Sequence, residues 1–504
     1  MSRRSSIVRS TFILSSGIFL SRILGYFRDA LIGFFFLSRE RDIFFLAFLI
    51  PNLSRRLLGE GALSYAFVPI FSDILEKKGK GEAYRFARAI LYRLVILLFL
   101  LTAIGIVLAP WFFRILGFSP QEKLLGVGIL RWMLPFMIFI CTQAIFTSIL
   151  NTLGHFLTPA LSFSLFNVSM LLSIILLREK LSLYALAIGV VGGGLLEMLF
   201  LIPPLLKRGF RFSLTDWSHP EVRRVYKLLA PALVGFGVFQ INLLIDKILA
   251  SFLPAGSISS LYYSNRLLQI PLALFGISLG MVSLPLLSRQ RAREDMESFT
   301  RTLEHTFQIL IFLTIPSSLF LISLGKPLIR LLFERGNFTP LSTSQTYFAL
   351  IFYSLGLFFF SGVRILTSTF YSLKKPLICV KSGMWAVLCN LILNLLLIKP
   401  LKQGGLALAT SLSAGLNLFL LWQPLRKDLS VTFSSPFLSQ VWKTLASSLP
   451  AFFLALYLDR LWLGRSYGII EMGRFVATVG TCITVLLLTY HLTGVRRLWN
   501  WHRK

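Results

Sequence analysis

Long apolar runs broken by short basic segments set the pattern of this chain from end to end. Runs such as "LVILLFLLTAIGIVLAPWFF" (94–113) and "LYALAIGVVGGGLLEMLFLIPPLL" (183–206) reach the roughly 20 residues a helix needs to cross the hydrocarbon core. They lack the roughly 10-residue alternating segments of a barrel strand. Lipid offers no partner for backbone N–H and C=O groups, so a spanning segment must be a helix or part of a closed barrel. The pattern therefore predicts an all-α integral membrane protein. Hydropathy and turn signals place about fourteen transmembrane helices near 11–36, 43–75, 84–113, 124–151, 157–177, 183–206, 224–253, 258–288, 302–325, 341–372, 376–398, 404–425, 437–459 and 469–493. Several exceed the membrane thickness and are expected to tilt or project beyond it.

Composition agrees with this. Of 504 residues 55% are hydrophobic, 47 are Phe, and the mean hydropathy is +0.75. A net charge of +30 raises the question of nucleic acid, but the basic residues recur in short segments between apolar runs, as topology signals do, rather than in one patch. "EKKGKGEAYRFAR", "LLKRGFRF", "SRQRARED" and "GVRRLWNWHRK" are examples. With the N-terminus inside, the inner loops and tails hold about twice as many Lys and Arg as the outer ones, which places both termini in the cytoplasm. The opening "MSRRSSIVRS" before an apolar run looks like a signal peptide, yet no small-residue cleavage site follows. It reads as a retained first helix. Cys141, Cys379, Cys389 and Cys482 sit in apolar stretches without metal or redox spacing, and the five His are scattered, so no metal site is expected from them.

The chain also repeats itself faintly. "YAFVPIFS" (65–72) is similar to "MVSLPLLS" (281–288), and "LLEMLFLIPPL" (195–205) to "GLNLFLLWQPL" (415–425), at nearly the same separation. Two six-helix lobes in parallel pseudo-two-fold would produce this: an N-lobe over 1–215 and a C-lobe over 216–430, with two C-terminal helices over 431–504. A cavity between such lobes is where a transporter binds cargo.

Charges inside the spans gather early in each lobe. A centrally placed Arg costs roughly 2.5–3.5 kcal/mol on insertion scales, so each is expected to face something other than lipid. The first lobe offers Arg22, Arg28 and Asp29 in "SRILGYFRDA", then Asp42, Asn52, Arg55, Arg56 and Glu60. Arg22 and Asp29 share a helix face, whereas Arg28 lies about 120° away. Gly25 allows a bend between them, and Pro51 with Gly59 and Gly61 allows an interruption of the second span. The second lobe aligns Ser259, Tyr262, Arg266 and Gln269 along one stripe, followed by Arg364. Each Arg could equally be a salt-bridge partner or a snorkelling side chain, as for Arg22 with Asp29 and Arg56 with Glu60. The arginines outnumber the acids, however, and guanidinium forks suit phosphate and carboxylate, so an anionic and phosphorylated cargo is favoured. A separate oxygen-rich set, Asp246, Asn390, Asn394 and Thr410, is a candidate monovalent cation or proton site. For Asp246 the alternatives are pairing with Lys247 or capping by Asn242.

The stretches "SRILGYFRDALIG", "DIFFLAFLIPNLSRRLLGEGALSYAFVPIFSD", "YYSNRLLQIPLALFGISLGMVSLPLLS" and "RILTSTFYSLKKP" resemble the MurJ (MviN) family of lipid II flippases, in a superfamily that also holds drug exporters and oligosaccharide-lipid flippases. The resemblance implies a cell inner-membrane, multi-pass protein that moves undecaprenyl-pyrophosphate-linked peptidoglycan precursor outward by alternating access. It implies that Arg22, Arg28, Arg55 and Arg266 line the cavity, with Asp42, Asn52, Glu60 and Ser259 at other polar family positions and a lipid-tail groove in the last two helices. This sequence departs from the family pattern at Asn265 and Gln269, where acids are common, at the basic "SLKKP" turn, and at Asn394, which replaces an acid near a cation site.

No cofactor is expected; coupling to the membrane potential, sodium or protons is. The expected partners are lipid II, membrane lipids and wall-synthesis proteins, with no nucleic acid. The nearest alternative is a flippase or exporter of another polyprenyl-linked oligosaccharide or of a drug, although organic cations would want acids rather than arginines. A membrane prenyl or glycosyl transferase would need paired carboxylates for a divalent ion, and no close Asp pair is present on a loop. A pure scaffold would not need buried Arg.

Overall fold

A computed structural model describes residues 3–57, 63–213, 216–429, 435–462 and 469–494. Its described residues are helical apart from short turns and loops. The chain falls into two compact units, Met1–Phe252 and Leu253–Lys504. Nine described helices are long and apolar enough to cross a membrane, ten if the pair α12 (Pro340–Leu355) and α13 (Leu357–Ser372), bent by 46°, is one span. Two of the nine, α3 (Leu63–Arg114) and α14 (Pro376–Leu429), are not single rods. In α3 the helical path breaks at Gly79 (φ 82°), and Phe67 stacks on Phe86 at 5.5 Å. The break in α14 is at Lys402, and a Cβ on Gly405 would stand 2.2 Å from the Leu397 carbonyl oxygen. Each is a hairpin of two helices.

The first unit holds α1 (Arg3–Phe35), α2 (Ser38–Ser54), α3, α4 (Pro120–Met133), α5 (Phe136–Thr152), α6 (Leu157–Leu181), α7 (Tyr184–Lys207) and α8 (Val222–Ala250). Helices in lipid approach through small residues and side-chain hydrogen bonds because no hydrophobic difference drives them together. The hairpin of α6 and α7 shows both devices. A Cβ on Gly193 would meet Phe166 at 2.8 Å, and Ser169 Oγ donates to the Gly189 carbonyl at 3.0 Å. On its other side α6 receives α1, where a Cβ on Gly17 would meet Ala160 at 2.8 Å.

The α7–α8 connection is held along α3 on both sides of residues 214–215. Tyr84 Oη donates to the Arg208 carbonyl and Arg88 Nη1 to that of Arg211, both at 2.9 Å. Tyr92 Oη donates to the Ser213 carbonyl at 2.9 Å, and Arg93 Nε to that of Trp217 at 3.1 Å. Arg88 also pairs with Asp216, Nε to Oδ2 at 2.7 Å. Loop carbonyls that turn from water need donors, and α3 supplies them.

The second unit holds α9 (Ser257–Pro271), a π-helical turn (Leu272–Ile277), α10 (Ser278–Ala292), α11 (Met296–Phe333), α12, α13, α14, α15 (Ser435–Trp462) and α16 (Ile469–Leu492). Its core joins α10, α11, α13 and α14 through Leu287, Phe307, Ile365 and Leu421. The last two helices pack on α11, with Tyr490 and Phe312 rings 4.6 Å apart. Thr489 Oγ1 donates to the Ser447 carbonyl at 2.7 Å, tying α16 to α15.

Local irregularities recur in the two units in the same chain order. A π-helical turn follows Pro51 at residues 55–57 and Pro271 at Leu272–Ile277, as expected where proline removes a helical N–H bond. Ser182 (φ 47°, ψ −127°) ends α6, and Lys402 (φ 48°, ψ −129°) breaks α14. The α5 end at Gly154 (φ 76°) and the α13 end at Lys374 (φ 57°) are both left-handed caps. These pairs share the separation of the sequence repeat.

Candidate functional site

In the first unit Arg28 of α1 reaches toward α6. Asp29 is fully buried, and Arg28 donates to its Oδ1 through both Nε (3.0 Å) and Nη2 (2.6 Å). The remaining fork atom, Nη1, donates to Asn167 Oδ1 at 3.1 Å, and the guanidinium carbon lies 5.7 Å from the Phe166 ring centre. Asn167 is itself fixed, because its Nδ2 donates to the Ser21 carbonyl at 3.0 Å and to Ser21 Oγ at 3.2 Å. A buried charge needs a partner and a full set of hydrogen bonds. Here four residues from α1 and α6 form one network that aims the guanidinium.

Arg22 and Asp29 share a helix face, which makes their pairing one alternative; Asp29 is paired instead with Arg28. Adjacent residues do not face each other on a helix, but the Arg side chain is long enough to curl back over the neighbouring carboxylate. Arg22 is exposed and makes no hydrogen bond or ion pair among the described residues. The helix continues through Gly25.

On α2, Asp42 is buried at 1% exposure, beside Arg41, which is equally buried. Arg41 donates from Nη1 to the Gly33 carbonyl (3.3 Å) and from Nη2 to Ser38 Oγ (2.7 Å), so it clasps the turn between α1 and α2. Sequence reasoning missed Arg41 because it stands at a helix start, where an exposed charge is ordinary. Asn52 precedes the π turn and Arg55 begins it, and Asn52 Oδ1 is buried with no hydrogen-bond partner in the described structure. Arg55 is partly buried and Arg56 exposed. Glu60 lies outside the described residues.

In the second unit the stripe on α9 runs from buried Ser259, through partly buried Tyr262 and Arg266, to exposed Gln269. Ser259 Oγ donates to the Gly256 carbonyl at 3.2 Å. The opposite face is fixed by Tyr263, fully buried with rings of Phe333 and Phe338 at 4.9 and 5.1 Å. The π turn begins six residues after Arg266, and such turns are frequent at functional sites. Arg364, on α13, is exposed.

The oxygen-rich set divides between the units. Asp246 is buried on α8 in the first unit, whereas the other three are brought together in the α14 hairpin. Asn394 Nδ2 donates to Asn390 Oδ1 at 2.8 Å, Asn390 Nδ2 to Thr410 Oγ1 at 3.4 Å, and Thr410 Oγ1 to the Leu406 carbonyl at 2.8 Å. Both Asn are fully buried. These three are neutral donors of oxygen, suited to a monovalent ion rather than a hard divalent one. Among the described residues no three His, Cys, Asp or Glu gather as a metal-holding group.

Comparison with known proteins bears on most of the chain. A family model described as lipid II flippase MurJ matches residues 33–472. A probable lipid II flippase MurJ of Vibrio cholerae serotype O1 is 37% identical over 438 residues, covering 83% of each chain. A solved structure of a lipid II flippase MurJ in an inward closed conformation is similar with a TM-score of 0.81 at 28% identity, over 95% of this chain and 98% of that one. An inward-facing multidrug resistance transporter of the MATE family shares the fold, with a TM-score of 0.71 over 82% of this chain and 96% of that one, at 14% identity.

Proposed function

The chain belongs to the MurJ family of lipid II flippases, and from that premise we propose how its own residues carry the cargo. It is a multi-pass transporter of the cytoplasmic membrane whose substrate is lipid II. The cargo-binding groups in the first unit are Arg22, Arg28, Asp29, Asp42, Asn52, Arg55, Arg56 and Glu60, and in the second Ser259, Arg266 and Arg364. The observation that carries this reading is the Arg28–Asp29–Asn167–Ser21 network. A guanidinium held in place has already given up its rotamer entropy, so less is lost when an anion arrives. Asp29 and Asn167 orient; Arg28 and its fellow arginines meet the pyrophosphate.

Both termini face the cytoplasm, and transport runs from the inner to the outer leaflet by alternating access. With the cell interior negative, each negative charge carried outward gains about 2.3 kcal/mol per 100 mV, which supplies a drive in the required direction. Asp246 on one side, and Asn390, Asn394 and Thr410 on the other, supply sites for sodium or a proton as a second source of coupling. By the internal repeat the lobes are an N-lobe over 1–215 and a C-lobe over 216–430, with a lipid-tail groove in 431–504, although α8, the first helix of the C-lobe by that count, lies in the first compact unit; wall-synthesis proteins receive the product.

Depletion of the protein tests the direction. Lipid II should accumulate on the inner leaflet, measured by its accessibility to an externally added impermeant probe; accumulation on the outer leaflet would refute it.

A further inference from the structure

Lys247 is no part of the cargo set, yet it is a cation on α8, within a span that the sequence pattern predicts to be apolar, where a charge needs partners. It lies one turn before Ser251, at the end of α8, and is partly buried. Its Nζ donates to the Phe45 carbonyl of α2 at 3.5 Å and stands 6.0 Å from the Phe45 ring centre. A helical carbonyl has a second lone pair free for such a donor, and the ring face adds cation–π attraction. Asp42 precedes Phe45 by three residues and so shares its face of α2. Arg56 and Asp42 both act electrostatically on the ammonium. The end of α8 has a separate fastening: Gly117 N donates to Ser251 Oγ at 3.1 Å, and a Cβ on Gly117 would stand 2.7 Å from the Phe252 Cα.

We infer that Lys247 is a positioning residue for flipping: it ties α8 to α2 through the Phe45 carbonyl and balances the buried carboxylate of Asp42. The inference rests on the reading of Asp42 as a cargo-site residue. An uncompensated acid among the arginines would repel a pyrophosphate; an acid matched by Lys247 does not. Arg41, beside Asp42, directs Nη1 and Nη2 to the α1–α2 turn.

Two readouts on the full chain separate the tie from the cargo reading. The first is thermal melting of purified Lys247→Met, Lys247→Arg, Asp42→Asn and the double variant Asp42→Asn/Lys247→Met. The expected result is a midpoint several degrees lower in Lys247→Met, retained in Lys247→Arg and partly regained in the double variant. Additive shifts would overturn the tie. The second is lipid II transport in proteoliposomes. Lys247→Met should be roughly tenfold slower, and the double variant faster than Lys247→Met alone. If melting shows the coupling but Lys247→Met transports at the unsubstituted rate, the positioning role is overturned while the tie stands.

Discussion

Arg28 and Asp29, neighbours in the chain, are also each other's ion-pair partners: Arg28 Nη2 lies 2.6 Å from Asp29 Oδ1, with the side chains only 11% and 0% exposed. Removing one member of so buried a pair leaves the other charged and uncompensated. Asp29→Asn should therefore destabilise the protein by about 3 kcal/mol, read as a lowered melting temperature in detergent. It should slow transport as well, because Arg28 loses its orientation. An unchanged melt would mean that the pair is not a structural anchor.

Asn167→Ala removes one acceptor from Arg28 and the two bonds to Ser21 without stranding a charge. Its stability cost should be smaller, about 1–2 kcal/mol. Its transport defect should be disproportionately large for that cost, as measured in proteoliposomes at matched protein content.

The strap along α3 makes a prediction outside the cargo site. Asp216 faces Arg88 with the two side chains 14% and 11% exposed. Asp216→Asn should weaken the α7–α8 connection and raise the rate of proteolysis between residues 208 and 221, while Arg224→Gln, at a pair more than 40% exposed on both sides, should not.

Lys374 and Lys402 occupy left-handed backbone at φ 57° and 48°. Side chains other than glycine are strained there by roughly 1–2 kcal/mol. Lys374→Gly and Lys402→Gly should each raise the melting temperature, the gain being limited by the extra freedom glycine gives the unfolded chain. A lowered midpoint would mean that the lysine side chains make contacts worth more than the strain.

His155, in the turn between α5 and α6, has its pKa lowered below 6.5, first by burial and then by the positive charge of Arg208. The folded protein thus binds this proton less readily than the unfolded chain does. Stability is full above about pH 6.5 and declines as pH falls from there through the lowered folded value. His155→Gln should flatten the pH dependence of melting in that window.

Much of the fold was legible because lipid enforces one solution for a spanning backbone, and periodic apolar runs announce it. The family was legible in the polar stretch from Asp42 to Asp73. The repeat, faint in side chains, is plainer in backbone irregularities, since the Ser182 and Lys402 turns keep their dihedrals while their residues differ. Side-chain partnerships were less legible. Helix-face geometry offers Arg22 as the alternative partner of Asp29, because spacing ignores how far a guanidinium can curl. Arg88 reads as a topology signal and Arg93 is not singled out, yet their donors satisfy loop carbonyls more than a hundred positions away. Lys247 enters the sequence reading as an alternative partner of Asp246, and nothing in the sequence says that α8 lies against α2.

The central claim is that guanidinium groups of this chain take the phosphates of lipid II. Its most direct test is the leaflet distribution of lipid II in cells whose only flippase carries Arg28→Ala or Arg266→Ala, at normal protein abundance. Accumulation of lipid II on the inner leaflet is the predicted result. An outer-leaflet fraction equal to that of the unsubstituted protein would contradict it.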